Sequence, residues 1–193
     1  MKSQAELRIR QALSRQLALG HDGDTLIVPE MGLCQNQARI DIAVVNGELH
    51  GWEIKTASDT LYRLPSQERA YSAVFDKIWL AVATHHVHAA TRLVPPWWGV
   101  VAIGDLQAGV SFDPVRSAGD NPAVNLLNVV QLLWRAELLD ELDLLGLARG
   151  LERAPKRDLW KELAGAAGTS TTHDHLRARV RTRLKNRPGW RPR

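Results

Sequence analysis

Hydrophobic and polar positions recur along the chain with two different periods, and the change of period predicts the order of the first elements. Apolar residues fall on a helical repeat from Gln4 to Leu19, and Gly20 follows where a helix would end. Alternation with a period of two then predicts strands. The predicted strands are Thr25–Val28, interrupted at Pro29, then Ala38–Val45 and Glu48–Lys55.

The middle of the chain predicts helices that alternate with buried strands. Pro65 is well placed for the first turn of a helix that runs to about Phe75. The apolar runs Lys77–Ala83 and Trp98–Ile103 suit buried strands, and His85–Leu93 between them suits a helix. This order favours a parallel strand pair with a right-handed crossover. The predicted fold is therefore a mixed α/β sheet in the order helix, three strands, helix, strand, helix, strand.

A boundary is predicted at Ser117–Pro122, where small and turn-forming residues are concentrated. Beyond it the β-branched runs largely disappear and the pattern becomes helical. The predicted helices are Ala123–Leu144, Lys156–Ala164 and His175–Lys185. We therefore expect a core over residues 1–117 and an α-helical C-terminal region over residues 118–193.

Composition indicates a folded protein that does not span a membrane. Hydrophobic residues make up 45% of the chain, enough for a sizeable core. No stretch is long and apolar enough to cross a bilayer, and the first residues lack a signal-peptide core. A single cysteine, Cys34, excludes an intrachain disulfide. We expect a cytoplasmic protein, and the sequence leaves monomer and homo-oligomer open.

Charge is distributed unevenly along the chain. Residues 151–193 carry 12 Lys and Arg against 4 Asp and Glu, a net charge of +8, so residues 1–150 carry −4 of the total of +4. A basic tail on an acidic body favours a partner that bears phosphates, such as nucleic acid. A solvated basic terminus that only promotes solubility is an equally good interpretation.

The second and third predicted strands form a hairpin whose register decides where their charges lie. A two-residue turn at 46–47 would pair Asp41 with Trp52 and mix apolar and charged residues on each face. A register longer by one residue pairs Asp41 with Glu53 and makes both faces uniform. We therefore predict a three-residue turn or a bulge, at Gly47 or Gly51. One face would then carry Ile40, Ile42, Val44, Trp52 and Ile54.

Asp41, Glu53 and Lys55 form the constellation with the clearest chemistry. Glu53 and Lys55 are two residues apart on one strand, so they share a face, and the predicted register brings Asp41 beside them. Two carboxylates suit a hard cation such as Mg²⁺ or Mn²⁺, which can activate a water molecule. The alternative is an exposed hairpin face on which these charges are only solvated.

Asp41 followed by Glu53-Ile54-Lys55 after a hairpin resembles the PD-(D/E)XK nuclease superfamily, although Ile40 stands where that motif has proline. The resemblance also extends to a small uncharacterised bacterial family placed in the superfamily. It implies a restriction-endonuclease-like sheet in which Asp41 and Glu53 ligate Mg²⁺ or Mn²⁺ and Lys55 assists catalysis.

Gln67 and Tyr71 are similar to the Q-x-x-x-Y motif of the RecB-like branch of the superfamily. The resemblance implies that they support the site or contact DNA. Glu30 is a candidate for a further metal ligand, with Glu6 as its rival for that role. Arg63 either contacts a phosphate or pairs with Asp59.

The sequence therefore predicts a metal-dependent nuclease that hydrolyses phosphodiester bonds in nucleic acid, with DNA the favoured substrate. The alternative is a nucleic-acid-binding or partner-binding module of the same fold without turnover. Endonuclease or exonuclease action and strand preference stay open.

Overall fold

A six-stranded mixed sheet organises the molecule, which we describe from a computed structural model over residues 4–20, 23–104, 109–168 and 170–187. Its strands lie side by side in chain order: β1 (Leu26–Leu33), β2 (Ala38–Asn46), β3 (Glu48–Lys55), β4 (Lys77–Ala83), β5 (Gly99–Ile103) and β6 (Phe112–Arg116). The helices are α1 (Gln4–Leu19), α2 (Leu64–Ser72), α3 (Val87–Leu93), α4 (Leu126–Val130), α5 (Arg135–Leu144), α6 (Lys156–Ala166) and α7 (Ser170–Lys185). The predicted α/β class is confirmed.

Strand directions change twice across the sheet. β1, β2 and β3 are antiparallel neighbours, β3, β4 and β5 are parallel, and β6 returns antiparallel to β5. The predicted parallel pair β4–β5 is confirmed, with α3 between its strands. β6 was not predicted, because its five residues include Asp113 and Pro114 and carry no apolar alternation. Its place at the edge explains how a proline is tolerated there.

β1 does not stop at Pro29, as the sequence predicts, but continues to Leu33. Pro29 stays in register with Ile42 of β2. Because β1 is an edge strand, the missing N–H of Pro29 costs no hydrogen bond to a second neighbour.

The β2–β3 hairpin adopts the longer of the two registers considered. Ile42 pairs with Trp52 and Asn46 with Glu48, so Gly47 alone lies at the tip, with φ +65°. Gly51 is not a bulge, since it pairs regularly with Ala43. A Cβ there would lie 2.8 Å from the ring of Phe75, which accounts for a glycine at this position.

Two hydrophobic clusters cover the two faces of the sheet. The smaller joins α1 to one face through Ile9, Leu13, Leu17, Ile42, Val44, Trp52 and Ile54. The larger lies on the other face and includes buried residues from α2 and from α4 to α7. Ile40 belongs to the larger cluster, so the prediction that it shares a face with Ile42 is wrong. The alternation of side chains along β2 breaks at Asp41. On β1, Glu30 lies opposite Asp41 and has a φ of +55°.

The single helix predicted over Ala123–Leu144 is wrong, because the chain forms α4 and α5 with a turn between them. The side chain of Asn125 accepts hydrogen bonds from the backbone N–H groups of Leu127 and Asn128 and begins α4. Glu137 accepts from the backbone N–H of Trp134 at 2.6 Å and begins α5. Residues on both sides of the predicted boundary share the larger cluster, and the division into two units stays a prediction.

α7 packs on the body through an apolar stripe and through ion pairs. Leu176, Val180 and Leu184 are buried. Two almost fully buried carboxylates, Asp76 and Glu141, bind its arginines. The pairs are Arg177 and Arg181 with Asp76, and Arg179 and Arg183 with Glu141. Much of the basic tail that favoured a phosphate partner is therefore neutralised within the molecule.

No helix within the described ranges has the length and hydropathy needed to cross a membrane.

Candidate active site

The site forms where β2 and β3 separate. Their paired residues run from the hairpin tip to Ile42 and Trp52. Beyond that point β2 continues along β1, while β3 continues along β4. Asp41 bridges the opening, because its Oδ2 accepts a hydrogen bond from the backbone N–H of Ile54 at 2.8 Å. The separation places carboxylates inside a cleft rather than on a flat sheet face.

Glu53 and Lys55 lie side by side in this cleft and are each only 3% exposed. The Lys55 Nζ lies 2.7 Å from Glu53 Oε1 and donates a second hydrogen bond to Gln67 Oε1 at 2.8 Å. A buried ion pair contributes little to stability compared with an apolar pair of the same size, so its presence points towards another role. The alternative, in which these charges are only solvated on an exposed face, is therefore wrong for both residues.

Gln67 and Tyr71 reach the same carboxylate from successive turns of α2. Gln67 Nε2 donates to Glu53 Oε1 at 2.6 Å and lies 3.0 Å from the hydroxyl of Tyr71. That hydroxyl lies 2.8 Å from Glu53 Oε2 and 2.8 Å from the carbonyl oxygen of Arg39. Tyr71 is fully buried, and its hydroxyl connects β2 to β3 beneath the site through these two contacts.

Burial raises the pKa of Glu53 above its ordinary value, and the negative charge of Asp41 raises it further. Lys55 and Tyr71 oppose this shift without reversing it. Burial, followed by the charge of Glu53, also raises the pKa of Tyr71, which therefore stays protonated. Asp41 thus lies close enough to Glu53 to disfavour the ionised form of Glu53, as a neighbouring carboxylate at a shared cation site does.

Arg10 of α1 is the neighbour of the site that the sequence analysis missed. Its Nη2 donates to Asp41 Oδ1 at 2.7 Å and to Glu6 Oε1 at 2.8 Å, and its Nη1 donates to Glu30. The residue is 9% exposed. Its spacing of four from Glu6 was the only local signal of this pairing.

The two candidates for a further acid therefore meet at one guanidinium. Glu6 lines the cleft with Asp41 and Glu53. Glu30 lies across from Asp41 in the β1–β2 register, but it lines a neighbouring cleft and also binds Arg39 Nε at 2.8 Å.

The cleft has a volume of about 850 Å³ and is lined largely by polar residues. Arg63 lies exposed on its wall. Asp59 accepts hydrogen bonds from the backbone N–H and the hydroxyl of Thr56, both at 2.7 Å, and among the described residues it forms no ion pair with Arg63. The alternative pairing of Arg63 with Asp59 is therefore not formed, and contact of Arg63 with a phosphate stays a prediction.

The donor atoms of the cleft suit a hard cation, although they are not arranged as a ready metal cage. Within the described parts of the chain, no three His, Cys, Asp or Glu side chains form a group that could hold a metal ion. Asp41 and Glu53 supply carboxylate oxygens, the donors that Mg²⁺ prefers, and Mg²⁺ keeps several waters when bound by one or two carboxylates. The charge of Asp41 raises the pKa of Glu53, and a cation bound by the two carboxylates would oppose this shift.

Comparisons with known proteins give a family relationship and no structural template. The family profile described as bacteriophage P4 protein cII matches residues 1–189. Protein cII of Enterobacteria phage P4 is 27% identical over 164 residues, which cover 85% of this chain. The chain spans only 60% of the length of that relative. No solved structure matches the chain.

Proposed function

The chain belongs to the bacteriophage P4 protein cII family, and we propose that it is a metal-dependent nuclease acting on nucleic acid, with DNA the favoured substrate. The observation that carries the proposal is the convergence of Asp41, Glu53 and Lys55 at the point where β2 and β3 separate. The order of strands and helices around this point supports a restriction-endonuclease-like core of the PD-(D/E)XK type.

Asp41 and Glu53 would hold Mg²⁺ or Mn²⁺, which when bound supplies a water molecule of lowered pKa and offsets charge on the transferring phosphate. Asp41 is fixed by the backbone of Ile54, and Glu53 by Gln67 and Tyr71. Such positioning keeps both carboxylates directed at one place without reorganisation during the reaction.

Lys55 would place its ammonium group beside the attacked phosphate. Its Nζ is held by Glu53 and Gln67, so its direction is fixed before substrate enters. A positive charge held in a partly dry cleft stabilises the developing negative charge more than the same charge in water. Arg63, on the wall of the cleft, is suited to a phosphate outside the reacting one.

Arg10 favours a second candidate, a nucleic-acid-binding module without turnover. Its guanidinium already binds the Asp41 oxygen that does not face Ile54. If this contact persists in solution at millimolar Mg²⁺, the cleft would bind phosphates through Lys55 and Arg63 without hydrolysing them.

Cleavage of supercoiled plasmid and of single-stranded DNA with Mg²⁺ or Mn²⁺ separates the two candidates. We expect cleavage by the natural chain and its loss in Asp41→Asn, which keeps the shape of the side chain, and in Lys55→Met. Lys161→Met changes an exposed lysine of α6 and should retain activity. Circular dichroism must show that each variant is folded. Equal cleavage by all four proteins would refute the assignment, and binding without cleavage would favour the module.

A further inference from the structure

A second cleft of about 630 Å³ adjoins the site and has no part in the chemistry proposed above. Cys34 lines both clefts, so the two are adjacent at this residue. The turn between β1 and β2 at this junction holds Cys34, Gln35 and Asn36 in the left-handed region, with φ of 49°, 59° and 66°. Such backbone is costly for residues other than glycine and fixes the wall between the clefts.

Trp134 presents a large aromatic ring on this second cleft and is 47% exposed. One side of the ring is packed by Arg187, whose Cζ lies 4.5 Å from the ring centre. Arg187 is itself fixed by Glu137 at 2.6 and 2.8 Å and by the carbonyl oxygen of Leu132. Glu137 also binds the backbone N–H of Trp134. The ring is thus held rigid, as a surface on which a planar group stacks should be.

Lys156 supplies a positive charge in the same cleft. Its Nζ lies 5.3 Å from the ring centre of Trp160, and it forms no ion pair with a carboxylate of the described residues. Burial, and then the nearby charge of Arg187, lower its pKa. An anion bound beside Lys156 would relieve this unfavourable environment.

We propose that this second cleft binds a single strand of nucleic acid next to the scissile position, with a base stacked on Trp134 and a phosphate at Lys156. The inference rests on the proposed function, because it takes the ligand to be the strand that enters the first cleft. An aromatic ring in a cleft that also carries a positive charge is the combination that single-strand binding proteins use. A duplex offers no unstacked base to Trp134, so the cleft favours single-stranded DNA or a frayed end.

Fluorescence anisotropy in EDTA measures binding apart from hydrolysis. The probes are fluorescein-labelled oligo(dT) and an abasic oligonucleotide of the same length. We expect Trp134→Ala to weaken oligo(dT) binding roughly tenfold, as loss of one stacked base does, and to leave abasic binding unchanged. Trp134→Phe should retain most of the affinity.

The lysine is tested by the dependence of binding on salt. Lys156→Gln should reduce the slope of log K against log salt by about 0.7, the value for one phosphate contact on a single strand. Lys156→Arg should keep the slope. Lys161→Gln on the same helix should also keep it, because Lys161 lies outside this cleft.

The two proposals fail in different ways. Cleavage by the natural chain, together with unchanged binding by Trp134→Ala and Lys156→Gln, would overturn the strand site and leave the nuclease. Binding that depends on Trp134 without cleavage under Mg²⁺ or Mn²⁺ would overturn the nuclease and support the strand site. A natural chain that binds neither probe would overturn the strand site outright.

Discussion

Replacing Arg10 with glutamine tests whether its guanidinium and a divalent ion compete for the same carboxylate. Arg10 binds Asp41, Glu6 and Glu30 at once. Removing it leaves three neighbouring carboxylates without their shared cation. The variant should therefore be less stable in EDTA and should gain more stability from Mg²⁺ or Mn²⁺ than the natural chain does.

The expected magnitude follows from how deeply the groups are buried. Loss of one partner from a fully buried pair costs about 3–5 kcal/mol. The side chains of Asp41, Glu6 and Glu30 remain 14%, 18% and 28% exposed, so water compensates for part of the loss. We expect a decrease in the free energy of unfolding of about 2–4 kcal/mol in EDTA.

Divalent ions should then restore much of that stability. An ion present at a hundred times its Kd adds about 2.7 kcal/mol to the free energy of unfolding. If release from Arg10 tightens binding tenfold, the variant gains about 1.4 kcal/mol more than the natural chain. For a chain of this length, that difference corresponds to about 3–6 °C in Tm.

The assay is thermal unfolding followed by circular dichroism, first in EDTA and then across a titration of Mg²⁺ or Mn²⁺. The Kd need not be known beforehand, because the titration gives the whole dependence of Tm on ion concentration. Arg15→Gln is the matched control, since Arg15 is an exposed arginine of the same helix. Equal increases in Tm for the natural chain and for Arg10→Gln would refute the idea of competition. Equal stability of the two in EDTA would refute the ion-pair account itself.

Three further predictions concern the surroundings of the site. Tyr71→Phe removes the hydroxyl that connects the two strands and should weaken Mn²⁺ binding about tenfold in calorimetry, the loss typical of an outer-shell partner. Unchanged Mn²⁺ binding would contradict the role of this hydroxyl in positioning Glu53. Because the pKa of Glu53 is raised, a proton competes with the cation for this carboxylate, so metal affinity should fall as pH decreases through that pKa. Glu53→Gln should lose this pH dependence, and a metal affinity of the natural chain that does not change with pH would contradict the prediction. Asp76→Asn removes the carboxylate that binds Arg177 and Arg181 of α7 and should lower the free energy of unfolding by about 2–4 kcal/mol in urea titrations. A loss below about 0.5 kcal/mol would show that these ion pairs contribute little to stability.

The sequence predicted the hairpin well because its register is constrained twice. Only one alignment separates apolar from charged residues, and that alignment also brings Asp41 towards Glu53. The same reasoning failed at Ile40, which packs with the larger cluster. Alternation of side chains between the two faces assumes a regular pleat. β2 separates from β3 at Asp41, so the pleat is not regular there.

Long-range charge pairing could not be read from the chain. The arginines of α7 resembled a surface for phosphates because the acids that bind them are distant in sequence. Asp76 lies 101 and 105 residues before its partners Arg177 and Arg181. Arg10 was missed for the same reason, since only its contact with Glu6 is local. Local patterns report periodicity and caps, whereas these pairs depend on how helices pack on the finished sheet.

Glu53 supplies the strongest physical argument for a cation where β2 and β3 separate. Burial disfavours its ionised form and the charge of Asp41 disfavours it further, so the pKa of Glu53 is raised. Lys55 and Tyr71 hold the carboxylate in place and oppose this shift without reversing it. A divalent ion bound by Asp41 and Glu53 would offset both negative charges without protonation, whereas a hydrogen-bonded cluster that served only packing would gain nothing from burying one acid beside another.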